Sequence, residues 1–321
     1  MSSLRVIVTG VNGFVGYALA NSIIRDGHSV IGVSRTPFNK IENQASFQSY
    51  TLDNFGEDER WNKLLDDADV VLHCAWPSSG KNHSIDEFTE LVDKLGQFAK
   101  KASYFGVKRF IFLSSIQASF SRFNRIEICP NLRTISSENI YALSKLEAEK
   151  KLKNVSMSTS MNTIIIRPPL IYGAGVKGLF RLLIKLISWR VPFPVCALQS
   201  NRSYLAIDNL ISFIRSVLNA KDGSLSEFES FEIADIKPVS TLSLLQKLAK
   251  VCDVRLRLFQ IPESWVKFIL RVIGKKELCE KLFSNLELDN KKAKILLDWT
   301  PETSFDEQLN KIGCLKRKGD G

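Results

Sequence analysis

The sequence has no closely spaced cysteine pair and no long apolar run. Its six cysteines are spread over 321 residues without a CxxC pair, a distribution typical of free thiols in a reducing cytosol. No run of 18 uncharged apolar residues is present, so we expect no membrane-spanning helix. Met1 leads directly into the first predicted strand, and we therefore expect no signal peptide. Together these absences predict a cytoplasmic protein.

Metal-binding and nucleic-acid-binding patterns are also missing. Histidines and cysteines nowhere have the spacing of metal ligands, so we predict no metal site. We find neither zinc-finger spacing nor an aromatic RNA-binding strand, and we predict no nucleic-acid partner. The net charge of +10 suits an anionic substrate or an anionic membrane surface, although a generally basic proteome would explain it equally well.

A glycine-rich turn lies near the start of the chain. Residues 4–8 form a continuous apolar run typical of a buried parallel strand, and a helical pattern follows from Tyr17. Between them Gly10 permits a tight turn, Gly13 lets backbone approach a pyrophosphate, and Gly16 allows close packing of helix and strand. The helix N-terminus offers free N–H groups to phosphates. This arrangement predicts a dinucleotide-binding site, and a glycine-rich turn without that function is the alternative.

Strand-like and helix-like segments alternate as far as residue 167. Predicted strands cover residues 29–33, 47–52, 69–74, 108–113 and 163–167. This alternation predicts an α/β fold with a Rossmann-type, doubly wound parallel sheet. Ligands bind such sheets beyond the carboxyl ends of the strands.

The second predicted strand carries information about the cofactor. An Asp or Glu usually follows this strand when the cofactor has a free ribose 2′-hydroxyl. Residues 29–40 contain no acid, whereas Arg35 is present and would attract a 2′-phosphate. The sequence therefore favours NADP over NAD, unless Arg35 is simply solvated.

Three residues have the pattern of a proton-transfer site. Ser115 ends the fifth predicted strand, and Tyr141 and Lys145 share one face of a predicted helix because they are four residues apart. An ammonium near a phenol favours the phenolate, so we expect Lys145 to lower the pKa of Tyr141. We predict a loop over residues 120–139, between the serine and the tyrosine.

Taken together, these motifs resemble the extended short-chain dehydrogenase/reductase family, of the NAD-dependent epimerase/dehydratase type that acts on nucleotide sugars. The resemblance covers nearly the whole chain. It is carried by seven stretches: TGVNGFVG at 9–16, Asp53, HCAW at 73–76, FLSS at 112–115, YALSK at 141–145, RPPLIYG at 167–173 and RSYLAIDN at 202–209.

The resemblance implies domains and site residues. It implies a dinucleotide-binding domain over 1–166 that also receives 203–235, a smaller substrate domain over 167–202 and 236–315, and a disordered tail over 316–321. The implied catalytic residues are Ser115, Tyr141 and Lys145. The implied cofactor-binding residues are Gly10, Asn12, Gly13, Phe14, Val15, Gly16, Arg35, Asp53, Ala75, Tyr141, Lys145 and Pro168. The implied substrate-binding residues are Trp76, Ser115, Gln117 and Arg202, with Arg202 near the substrate diphosphate.

Several functions remain open at this stage. Our first reading is an NADP- or NAD-dependent reduction, at C4, of a UDP-4-keto-6-deoxy-N-acetylhexosamine in surface polysaccharide synthesis. The alternative is 4-epimerisation of UDP-glucose or UDP-N-acetylglucosamine, or of a polyprenyl-diphosphate-linked sugar. A non-enzymatic dinucleotide sensor is the alternative of another class. We expect a homodimer.

Two segments are apolar and basic at once. In residues 179–191, Arg181 and Lys185 share a helical stripe, as do Lys267 and Arg271 in residues 265–276. Such helices cover the core of a small domain in many proteins. The alternative is a peripheral contact with an anionic membrane surface.

Overall fold

The computed structural model describes residues 3–41, 45–52, 58–77, 84–123, 137–194, 200–221, 223–262, 264–265 and 285–318. The chain forms two compact units. The first unit comprises Met1–Pro168, Arg215–Glu232 and Ile295–Leu297, and the second comprises Pro169–Ile214, Ile233–Lys294 and Asp298–Gly321. The division by sequence into a dinucleotide-binding and a substrate domain remains a prediction about function.

The strands and helices have the following bounds. The strands are β1 (Arg5–Thr9), β2 (Ser29–Ser34), β3 (Phe47–Thr51), β4 (Val70–His73), β5 (Arg109–Leu113), β6 (Asn162–Arg167), β7 (Leu170–Tyr172), β8 (Phe193–Pro194), β9 (Asn201–Arg202), β10 (Tyr204–Ala206), β11 (Phe228–Glu232), β12 (Val239–Ser240) and β13 (Leu258–Phe259). The helices are α1 (Phe14–Arg25), α2 (Arg60–Asp66), α3 (Ile85–Tyr104), α4 (Ile116–Phe123), α5 (Ser137–Ser156), α6 (Leu179–Ser188), α7 (Ile207–Asn219), α8 (Thr241–Val251), α9 (Lys291–Leu297) and α10 (Phe305–Lys318).

A seven-stranded sheet forms the centre of the first unit. Its order is β11-β6-β5-β4-β1-β2-β3, and every neighbouring pair is parallel. From β1 the chain moves outward to β2 and β3, then returns to β4 on the other side of β1. This reversal places a crevice between β1 and β4, where open parallel sheets bind ligands. The predicted Rossmann-type sheet is confirmed.

The sheet is buried on both faces, as its uninterrupted apolar strands predict. Ile7, Ile31 and Phe110 belong to a core cluster that includes Trp61 of α2 and Phe98 of α3. Their strand neighbours point to the other face and are also buried, among them Val6, Val8, Val30 and Ile111. Successive side chains of a strand point to opposite faces of the sheet. The same strands therefore supply the buried side chains on both faces.

The second unit is built from short strands and aromatic packing. Its strands pair as β10 with β7, β12 with β9 and β13 with β8. Tyr172 stacks on Phe180 with ring centroids 5.2 Å apart and contacts Phe305 at 4.7 Å. The Tyr172 hydroxyl donates to the buried Asp235 carboxylate over 2.8 Å, which satisfies both polar groups inside this core.

Two predicted irregular segments are partly helical. Helix α4 extends to Phe123 and α5 begins at Ser137, so both ends of the predicted loop at 120–139 belong to helices, and 124–136 lie outside the described residues. Helix α10 continues to Lys318, into the segment 316–321 that we expected to be disordered.

Among the described helices, none combines the length and the hydropathy that a bilayer span requires. Of the described cysteines, Cys74 and Cys252 are free thiols.

Candidate active site

The glycine turn between β1 and α1 leaves no room for side chains. Gly10 has a φ of +71°, and a Cβ there would lie 2.9 Å from the backbone nitrogen of Ala75. A Cβ on Gly16 would lie 2.4 Å from the carbonyl oxygen of Gly10. Gly13 is the N-cap of α1, which has no side-chain cap hydrogen bond and no acid in its first turn. Its backbone N–H groups are thus available to an anion, and the turn fits the diphosphate of a dinucleotide.

Asn12 connects this turn to the end of β2. Its amide nitrogen donates to the Ser34 hydroxyl over 3.3 Å and to the Thr36 hydroxyl over 2.9 Å. Arg35 lies between these two partners and is exposed. Phe14 and Val15 form the first turn of α1, beside the predicted diphosphate site. Asp53 lies outside the described residues.

The crevice between β1 and β4 contains a buried histidine. Thr9 and His73 are register partners on the two strands, and the Thr9 hydroxyl lies 3.1 Å from His73 Nδ1. The same hydroxyl accepts from the backbone N–H of Ala75 over 3.2 Å. Burial, with a smaller contribution from the Lys145 charge, lowers the pKa of His73 to about 3. His73 is therefore neutral and positions the strand ends beside Gly10.

Ser115 and Tyr141 are in contact. Ser115 follows β5, where its hydroxyl accepts from the backbone N–H of Gln117 over 3.2 Å. The neighbouring Ile116 N–H donates to the Pro168 carbonyl over 3.0 Å, which holds the start of α4 against the end of β6. Burial raises the pKa of Tyr141 to about 12, although a hydrogen bond with Ser115 opposes the increase. The phenol is thus protonated at neutral pH and can donate a proton.

Lys145 faces a different set of groups from those we expected. Its ammonium donates to the Leu113 carbonyl over 2.6 Å and lies 4.5 Å from the ring centroid of Trp76 and 4.3 Å from that of Phe112. Burial lowers its pKa well below the usual value, while Cys74 and Glu149 act in the opposite direction. The expectation that Lys145 lowers the pKa of Tyr141 is wrong for this arrangement, because burial dominates at the phenol and the ammonium is bound elsewhere.

A buried ionic network lies behind these residues, and the sequence analysis missed it. Glu149 accepts from Arg167 over 2.5 and 2.9 Å and from the Ser114 hydroxyl over 2.6 Å. Arg167 also lies 3.5 Å from Glu232 of β11. The available signal was a charged residue, Arg167, at the end of an apolar strand, together with an acid, Glu149, one helical turn after Lys145.

The predicted substrate residues are distributed over both units. Trp76, Ser115 and Gln117 belong to the first unit and Arg202 to the second. Arg202 lies in β9, opposite Val239 of β12. Burial lowers its pKa, and Tyr204 partly opposes that effect. Within the ranges that the structure describes, no group of three or more His, Cys, Asp or Glu side chains could hold a metal ion.

The sequence of this chain matches a known protein family over most of its length. Residues 6–234 match the sequence family described as "NAD dependent epimerase/dehydratase family". A UDP-glucose 4-epimerase of Vibrio cholerae is 29% identical over 316 residues, which cover 94% of this chain and 92% of that protein. The similarity thus extends through both units.

Solved structures with the same fold include nucleotide-sugar epimerases. A UDP-glucose 4-epimerase of Thermotoga maritima, solved with UDP-glucose, superposes with a TM-score of 0.74 at 19% identity, covering 99% of this chain and all of that one. A UDP-glucuronic acid 4-epimerase of Bacillus cereus, in complex with UDP-glucuronic acid and NAD, has a TM-score of 0.75 at 19% identity, covering 98% and 99% of the two chains. At these sequence identities, the superpositions show that this chain shares the fold of these two proteins.

Proposed function

Because this chain belongs to the NAD dependent epimerase/dehydratase family, and an epimerase of the same fold has been solved with NAD, we propose that it is a UDP-sugar 4-epimerase. The observation that favours epimerisation is the similarity to the Vibrio cholerae UDP-glucose 4-epimerase along 94% of this chain. UDP-glucose and UDP-N-acetylglucosamine are the proposed substrates. A polyprenyl-diphosphate-linked sugar is an alternative substrate with the same diphosphate chemistry.

The residues of the first unit supply binding and proton transfer for this reaction. The turn at Gly10, Gly13 and Gly16 would hold the diphosphate of NAD at the N-terminus of α1. When bound, NAD supplies the hydride acceptor and donor at C4 of the sugar. Tyr141 is the residue that would exchange a proton with the C4 oxygen, since its hydroxyl bonds to Ser115, which follows the carboxyl end of β5.

Ser115 and Lys145 would support that transfer. The Ser115 hydroxyl already bonds to Tyr141, so it can hold the same sugar oxygen and orient the phenol. Lys145 would bind the nicotinamide ribose after leaving the Leu113 carbonyl. We propose that Arg202 contacts the substrate diphosphate, because its positive charge would attract the negatively charged phosphate oxygens. Oxidation would take a proton from the C4 hydroxyl and a hydride from C4, and the 4-epimer forms when the hydride returns to the opposite face of C4 and the proton returns to the oxygen.

Reduction of a 4-keto sugar is a second candidate, supported by two features. Arg35 takes the place where an acid would bind a free 2′-hydroxyl, and this favours NADPH. Tyr141 is protonated at neutral pH because burial raises its pKa to about 12, which suits a group that donates a proton to a carbonyl oxygen.

An assay without added reductant tests epimerisation. The purified protein is incubated with NAD and either UDP-glucose, UDP-N-acetylglucosamine or a polyprenyl-diphosphate N-acetylhexosamine, and the 4-epimers are separated and quantified. We expect a 4-epimer from one of these substrates and none with Tyr141→Phe. If no epimer forms and the protein instead oxidises NADPH in the presence of a UDP-4-keto-6-deoxy sugar, the proposed activity would be reduction and not epimerisation.

We also propose a homodimer in the cytoplasm, as we expected from the sequence. Sedimentation velocity at several protein concentrations measures the assembly state. A single species with the mass of one chain at all concentrations would contradict the dimer.

A further inference from the structure

The second unit carries a surface that is both basic and apolar. Helix α6 buries Phe180, Leu183 and Ile187 and leaves the opposite side open to solvent. On that side Leu182, Lys185 and Trp189 follow one another at spacings of three and four residues, which places them on one stripe. Leu182 is 46% exposed and Trp189 is 65% exposed, although side chains of this kind are usually buried.

A short strand pair extends this stripe. The chain enters β8 four residues after Trp189, and β8 pairs with β13, whose Leu258 lies opposite Phe193. Both residues of β13, Leu258 and Phe259, are exposed. We define the α6–β13 surface by Arg181, Leu182, Lys185, Trp189, Arg190, Val191, Arg257, Leu258 and Phe259.

The charge on this surface has one sign. Residues 150–207 contain no Asp or Glu, and neither do residues 254–262. Arg181, Lys185, Arg190, Arg255 and Arg257 are all exposed. The Lys185 ammonium lies 4.4 Å from the ring centroid of Trp189, so a cation and an amphipathic ring are presented together. Trp265, a few residues after β13, is 62% exposed as well.

We propose that the α6–β13 surface binds the face of an anionic lipid bilayer. Exposed Trp, Phe and Leu side chains can enter the headgroup region, where the polar edge of an indole remains hydrated. Arg and Lys side chains extend along apolar surface and place their charges at the phosphate level. A surface whose own charged residues, Arg181, Lys185, Arg190 and Arg257, are all basic matches the negative potential of an anionic leaflet. The contact is peripheral and uses residues of the second unit.

Vesicle sedimentation tests the proposal with the full chain. The wild type is mixed with two kinds of vesicle. The anionic vesicles contain phosphatidylcholine with 30% phosphatidylglycerol, and the neutral vesicles contain phosphatidylcholine alone. We expect sedimentation with the anionic vesicles at low salt, release at high salt and no sedimentation with the neutral ones. A basic residue near an anionic surface increases partitioning about fivefold, so Arg181→Glu/Lys185→Glu should reduce it at least ~30-fold.

A matched control variant distinguishes vesicle binding through this surface from a general effect of net charge. Lys292→Glu/Lys294→Glu makes the same charge change at exposed positions of α9 and should keep most of the vesicle binding. Trp189→Ala retains every charge but should still weaken binding. Equal losses in the α6 and α9 double variants, or a wild type that stays in the supernatant at low salt, would overturn the proposal.

A protein partner is the competing occupant, and a second copy of this chain is the one that can be tested directly. Sedimentation velocity is run on the wild type and on Arg181→Glu/Lys185→Glu without lipid. We expect the same assembly state for both. A wild-type dimer that becomes a monomer in the variant would assign the surface to an interface between copies and would overturn the lipid proposal.

Discussion

Arg167 and Glu149 form a bidentate ion pair inside the first unit, with their charged groups 2.5 and 2.9 Å apart. Glu149 is inaccessible to solvent, and 7% of the Arg167 side chain is exposed. The pair joins α5 to the end of β6, directly behind Ser114 and Lys145. Loss of Arg167 would leave the Glu149 carboxylate buried without its ion-pair partner, whereas loss of Glu149 would leave Arg167 with Glu232 at 3.5 Å.

Replacing one partner should therefore cost much more stability than replacing both. We expect Arg167→Met to lower the free energy of unfolding by about 3–5 kcal/mol, since it leaves the Glu149 carboxylate buried and unpaired. The double variant Glu149→Leu/Arg167→Met should lose less stability than Arg167→Met alone. Urea unfolding measures both variants and the wild type. A loss below about 1 kcal/mol for Arg167→Met would show that water reaches this site.

Tyr141→Phe should remove proton transfer and preserve binding. The ring and its packing remain, while the hydroxyl that bonds to Ser115 is lost. We expect turnover to fall about 10²–10⁴-fold with little change in the dissociation constant of NAD. Tyr104→Phe serves as the control, because Tyr104 is 85% exposed on the surface helix α3. Near-normal turnover of Tyr141→Phe would exclude it as the proton donor.

Arg35→Asp should change the choice of cofactor. The substitution replaces an attraction for a ribose 2′-phosphate with a repulsion at the end of β2, and a carboxylate can accept from a free 2′-hydroxyl. We expect weaker binding of NADP(H) and stronger binding of NAD(H) by isothermal titration. Lys100→Asp, on α3, makes the same charge change at another exposed position. Identical constants for wild type and Arg35→Asp would show that Arg35 is only solvated.

His73 should make the first unit sensitive to mild acid. Its pKa is lowered from 6.5 to about 3 in the folded chain, so between these values the unfolded chain binds a proton that the folded chain does not. Stability therefore falls as the pH decreases below 6.5, with a slope of up to about 1.4 kcal/mol per pH unit from this residue.

The corresponding variants separate titration from packing. His73→Asn should reduce the slope of unfolding free energy between pH 6 and 4, whatever its effect at pH 7. Thr9→Val removes the hydroxyl partner but keeps the titrating ring, and it should retain the wild-type slope. An unchanged slope in His73→Asn would mean that other groups dominate acid unfolding.

The first unit could be predicted from the sequence because its signals are local. Apolar strands, the spacing of Gly10, Gly13 and Gly16, and the four-residue spacing of Tyr141 and Lys145 each reflect geometry within a few residues. The short strands of the second unit lack such a signal, since pairs such as Phe193 with Leu258 depend on packing between distant segments.

The environment of the predicted site residues could not be read from local patterns. Contact between Thr9 and His73 requires the register of β1 against β4. The aromatic rings beside Lys145 come from Trp76 and Phe112, far apart in the chain. For this reason the expected effect of Lys145 on Tyr141 was wrong, while the catalytic roles of both residues stay predictions.

The place of β11 at the edge of the sheet affects how the chain is made. Sixty residues separate the end of β6 from the start of β11, so a growing chain exposes the open edge of β6 for roughly 3–12 s at ordinary rates of synthesis. Unpaired strand edges recruit other chains. A chain truncated before Phe228 should therefore form large assemblies in size-exclusion chromatography, whereas in the complete chain β11 pairs with β6 and covers that edge.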